Sequence, residues 1–130
     1  MNLAFRGSLL ATALLGLVGC ESAEAKRKAK AEAERAAIWA ALTYDKAISQ
    51  QTQRNVTLGE VFLGLSDHKK ADYVRNLKRI PLDGCPEEFA RAYREHIVAW
   101  DSRDERRITS TFADVLAVAR VHGVEFDTRQ

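Results

Sequence analysis

The chain has 130 residues, of which 29% are charged and 46% hydrophobic, with a net charge of +2 and only five Phe, three Tyr and two Trp. That length suits one small domain. So even a charge balance, with no basic stripe interleaved with aromatics, excludes nucleic acid as an expected partner.

Residues 1–6 form a short leader whose one charged side chain is Arg6. The stretch from Leu9 to Val18 is apolar and too short to span a bilayer, as in the hydrophobic region of a signal peptide. It ends in Leu17-Val18-Gly19-Cys20. This tetrapeptide resembles the lipobox of bacterial lipoproteins: an aliphatic residue, two small residues, then cysteine. The resemblance implies that residues 1–19 are removed, that Cys20 carries diacylglycerol, and that the new N-terminus is acylated, for example by palmitate. Two or three chains make a stable membrane anchor, each buried CH₂ contributing about 0.8 kcal/mol. The rest of the protein would then face the periplasm. In that family an aspartate after the cysteine favours inner-membrane retention, so Glu21 leans toward the outer membrane.

Residues 20–37 are almost only Ala, Glu, Lys and Arg beyond the cysteine. These are strong helix formers, and nothing apolar is present to bury. A charged, solvated helical stalk is expected, with a reach of roughly 25 Å. Lys26, Arg27, Lys28 and Lys30 could also meet anionic headgroups near the anchor.

From Ile38 the composition changes, and residues 38–130 should form the folded domain. Ile38 and Leu42 lie one helical turn apart, with Ala41 and Asp45 between and beyond them. This helix should run on from the stalk to about Gln53, ended by the polar stretch 50–55. Thr57-Leu58-Gly59-Glu60 reads as a capping box, with Val56 and Val61 placed as a staple. The short helix it starts would carry Val61, Phe62 and Leu65. Ser66 or Asp67 can cap the next helix, in which Ala71, Val74 and Leu77 share a face flanked by Tyr73 and Ile80. Pro81 stops it, and residues 82–84 turn the chain.

Pro86 suits the first position of a fourth helix, with Glu87 and Glu88 at its positive end. Phe89, Tyr93, His96, Ile97 and Trp100 recur at helical spacing and demand burial on one face. The charge run 101–107 reads as an exposed helix end or a loop. Ile108, Phe112, Val115, Leu116 and Ala119 then mark a last amphipathic helix. Gly123 stands where a left-handed residue closes a helix, with Val124 placed to contact Ala119. With no alternating strand pattern, the expectation is an all-α fold. It would be a small bundle of four to five helices behind a signal peptide and a charged stalk.

Chemistry is sparse. His96 reads as a core-edge histidine satisfied by a hydroxyl, carbonyl or carboxylate. His68 and His122 complete no zinc pattern with it, and His122 reads as a last-turn cation. Cys85 precedes a helix start, where the dipole favours a thiolate, yet buried free cysteine is usually inert. An intermolecular disulfide and a ligand-binding thiolate are the other two possibilities for it. Cys85-Pro86 also resembles the two-residue haem-regulatory motif, a pattern common by chance, so no cofactor is expected. No glycine-rich phosphate loop, Cys-x-x-Cys or G-x-S-x-G elbow occurs. Enzyme activity and catalytic residues are not expected.

Residues 57–61, 80–100 and 119–124 together resemble small uncharacterised helical proteins of bacterial envelopes, a resemblance that implies fold and location but no activity. Two functions stay open. One is a lipid-tethered, non-catalytic structural or interaction module with an unknown protein partner. The other is a binding protein for a small ligand or metal, with a pocket near Tyr93, His96 and Trp100. A filled core at His96 would favour the first, and an open cavity with converging polar groups the second.

Overall fold

The computed structural model describes residues 15–129, with side chains from Ser22 onward except that of Phe62. The leader and most of the apolar run therefore lie outside the described residues, as do the side chains of Leu17 to Cys20. The described chain is all-α, with no strand. Helix α1 spans Leu15–Arg54, α2 Leu58–Leu63, α3 Asp67–Leu77, α4 Glu87–Ser102 and α5 Glu105–Val121. None of these is long and apolar enough to cross a membrane.

Two compact units divide the chain, residues 1–30 and 31–130. In the first, the described side chains from Ser22 to Lys30 are all exposed, as a run of Ala, Glu, Lys and Arg requires. The second unit holds the core. Its α1 stripe is Ile38, Ala41, Leu42, Asp45 and Ile48, all buried. Asn55 and Val56 donate to Thr52 O and Gln53 O, tightening the end of α1.

The capping box at α2 forms as read from its residues. Thr57 N–H donates to Glu60 Oε2 at 2.9 Å, and Glu60 N–H to Thr57 Oγ1 at 3.4 Å. The staple does not close, because Val61 is 66% exposed. Lys69 reaches back from α3 to Glu60 and to Asn55 O, which ties the α2 segment down by polar contacts instead.

Ser66 caps α3 by accepting from Lys69 N–H. The buried face of α3 differs from the expected one. Ala71 is exposed, and Tyr73, Val74 and Leu77 point inward. The reason is polar as well as apolar: the Tyr73 hydroxyl finds a buried acceptor, which turns the helix toward that ring. Ile80 is buried just beyond the helix.

Pro86 is the residue before α4 rather than its first residue, with φ −55° and ψ 144°. The helix buries Phe89, Tyr93, His96 and Ile97 on the face their spacing defines. Arg103, at φ 58°, ends α4, and Asp104 opens α5 by accepting from Arg106 N–H and Arg107 N–H at 3.1 and 3.2 Å. The charge run is thus both a helix end and a cap. Helix α5 buries Thr111, Val115 and Ala119, with Ile108, Phe112 and Leu116 half-buried beside them. Gly123 has φ 78°. Its N–H donates to Arg120 O and that of Val124 to Ala119 O, both at 3.0 Å, a paired C-terminal closure. The tail then returns over α1, where the Phe126 ring meets Trp39 edge-on at 5.3 Å.

Candidate functional site

The site is built around a polar centre in the apolar core. Asp45 sits on the α1 stripe and is only 6% exposed. Its Oδ1 accepts from the Tyr73 hydroxyl at 3.3 Å. Burial pushes its carboxyl above the usual aspartate range, and the Tyr93 and Tyr73 hydroxyls oppose this only in part. Burial first, and the Asp45 charge second, push both tyrosine hydroxyls far above their ordinary pKa. Tyr93 Oη is itself buried without a partner in hydrogen-bonding geometry.

Beside this centre runs a second polar chain. Trp100 Nε1–H donates to His96 Nε2 at 3.1 Å. An indole nitrogen only donates, so Nε2 carries no proton and the proton is on Nδ1. Nδ1–H then donates to Thr111 Oγ1 at 3.0 Å, and Thr111 Oγ1–H to Arg107 O at 2.7 Å. Every member donates once, toward the first turn of α5. The imidazole is neutral and both its nitrogens are engaged. Burial lowers its pKa from 6.5 to about 4.

Helices α1, α3, α4 and α5, with the tail, line an open pocket of about 590 Å³. Asp45, Tyr73, His96 and Trp100 contribute polar groups to its lining, and Leu42, Ile108, Phe112 and Phe126 apolar ones. Lys46 and Arg129 stand among the lining residues, with the Lys46 ammonium held 5.9 Å from the Phe126 ring centre. This volume lies in the range of small-molecule sites.

The structure brings together two of the three residues expected around a pocket. His96 and Trp100 line it, with Trp100 half-buried in its wall against Tyr73, ring centres 4.7 Å apart. Tyr93 lies behind the wall, fully buried between Phe89 and His96. Asp45, Tyr73, Thr111 and Phe126 escaped the sequence reading. The signal for Asp45 was its place three residues from both Leu42 and Ile48, within an apolar stripe.

His68 is exposed beside Asp72, at 3.2 Å, and His122 Nε2 lies 2.8 Å from Glu88 Oε1. Among the described residues no group of His, Cys, Asp and Glu could hold a metal ion. Cys85 is a half-buried free thiol packed against the core. Burial, with the Asp83 charge, pushes its thiol up, so the thiolate that a helix start favours does not prevail here. No family model matches the chain, and neither a curated protein nor a solved structure matches it.

Proposed function

We propose that the chain is a lipid-anchored protein of the bacterial envelope that holds a small ligand in the pocket of its helical domain and catalyses no reaction. The observation that carries the ligand reading is the pocket itself, whose lining combines the buried Asp45 and Tyr73 with Trp100 and with apolar side chains. The non-catalytic part is supported by His96, whose two nitrogens are both occupied by structural hydrogen bonds. The anchor rests on Leu17-Val18-Gly19-Cys20 following a basic leader and an apolar run. Glu21 supports the outer membrane over the inner one. The envelope location also rests on the resemblance of residues 57–61, 80–100 and 119–124.

Native mass spectrometry of the protein taken from its own envelope tests the ligand. A retained small-molecule mass that Trp100→Ala removes is the expected result. A protein that shows only its own mass, in membranes and in cell extract alike, would end this reading. The anchor has a separate test. Wild type should carry lipid on Cys20, and Cys20→Ala should accumulate as the uncleaved precursor. An unmodified N-terminus at or beyond Cys20 would sink it.

A second reading, an interaction module for a protein partner, draws on α2. Leu58, Val61 and Leu63 are 81%, 66% and 90% exposed there. Cross-linking in the envelope should then capture a partner through α2, and Leu58→Ser with Leu63→Ser should abolish the capture.

A further inference from the structure

The pocket contains a buried carboxyl with no counterion. Asp45 is an acid placed on the apolar stripe of α1, and no Lys, Arg or His forms an ion pair with it among the described residues. An ionised carboxyl in such surroundings is costly unless it is paired. Among the described residues its side-chain hydrogen bond comes from the Tyr73 hydroxyl, and the Tyr93 hydroxyl is buried without a partner. The nearest cation in sequence, Lys46, directs its ammonium over the Phe126 ring instead.

The walls add a second observation. Tyr73 and Trp100 meet edge-on beside the carboxyl, and Phe112 and Phe126 complete an aromatic lining. Aromatic faces around a carboxylate favour an organic cation over an anion or a neutral polar group. Lys46 and Arg129 stand on the lining as well and oppose any cation, so a bound cation must gain more from direct contact with the carboxyl than it loses to them, and a second positive charge on the ligand has no partner.

We propose that the pocket binds a small primary amine, its ammonium donating to the Asp45 carboxylate and its flat apolar body lying against Trp100, Phe112 and Phe126. This rests on the pocket reading above and names the ligand class for it. Asp45 is the residue that selects the charge. Tyr73 positions the carboxyl through its hydrogen bond to Oδ1.

Three probes of one shape test this: phenethylamine, its N-acetyl amide and 3-phenylpropionate. Each is titrated into the protein carrying its native N-terminus in lipid nanodiscs, read by calorimetry and by the indole N–H resonance of Trp100. The amine should bind about tenfold or more tightly than the other two, the worth of one charged hydrogen bond. Asp45→Asn should remove that preference while leaving weak, unselective binding of all three. The probe series on wild type is decisive even where the variant does not fold. Preference for the acid or the amide, with the Trp100 resonance shifting, would overturn the amine inference and leave the pocket reading standing. No shift with any probe would overturn the amine inference, whereas the ligand reading itself falls only on the mass measurement above.

Discussion

Acidification should unlock the α4–α5 contact through His96. The neutral ring is held between a donor, Trp100 Nε1–H, and an acceptor, Thr111 Oγ1. A proton on Nε2 would face the indole N–H and break the chain. The folded pKa is lowered to about 4 from 6.5 because the ring is only 3% exposed. A histidine with a depressed folded pKa binds fewer protons folded than unfolded between those values. Its contribution is therefore complete above 6.5 and is lost as pH falls toward 4. At about 1.36 kcal/mol per unit, the full loss is about 3 kcal/mol, and about 2 kcal/mol of it falls between pH 7 and 5. For a domain of this size that lowers the melting temperature by roughly 10 °C. The assay is chemical or thermal unfolding of wild type and His96→Gln at both pH values. His68, His122 and Asp45 are common to both proteins, so the difference in pH dependence isolates His96. The variant should lose about 2 kcal/mol less on acidification than wild type. A His96 ring titrating at or above 6.5 by NMR, or a variant as acid-sensitive as wild type, would refute the argument.

Tyr93→Phe should leave stability unchanged or raise it by up to about 1 kcal/mol, because the deleted hydroxyl is buried without a partner. A loss beyond about 1 kcal/mol in a denaturant melt would mean that the hydroxyl is bonded to Asp45. Cys85 should react with a thiol reagent many times more slowly in the folded protein than in denaturant, since burial and Asp83 disfavour its thiolate. Fast labelling of the native protein, or a dimer band on a non-reducing gel, would contradict this.

Most of the helical layout was legible because periodicity and caps are local. Phe89, Tyr93, His96 and Ile97 follow from spacing alone, and Thr57 with Glu60 follows from side-chain reach. The C-terminal closure at Gly123 was likewise readable from one glycine and the valine after it. What escaped were residues whose burial depends on a partner far along the chain. Asp45 has no role within its own helix, and gains one only when Tyr73 of α3 donates to it. Ala71 and Tyr73 exchange places because that hydroxyl needs an acceptor on another helix. Thr111 looks like a neutral filler until His96 donates to it. Phe126 sits in a polar tail and gains meaning only from Trp39 and Lys46. The site is made of these long-range polar pairs, which is why a pocket was expected near Tyr93, His96 and Trp100 while its carboxyl was missed.

The link between α4 and α5 is only Arg103 and Asp104, and these two helices pack on each other more extensively than any other pair of helices. Closing so short a loop costs little chain entropy, whereas bringing Ile38, Leu42 and Ile48 onto that pair requires closing a far longer one. The expected order of assembly is that α4 and α5 form the nucleus and the α1 stripe docks on a surface already made. Shortening Phe89 or Val115 should therefore slow folding, and shortening Ile38 or Leu42 should chiefly speed unfolding, each read from the limbs of a denaturant chevron. The pocket, whose carboxyl comes from α1, should then be completed only when that helix docks on the α4–α5 pair.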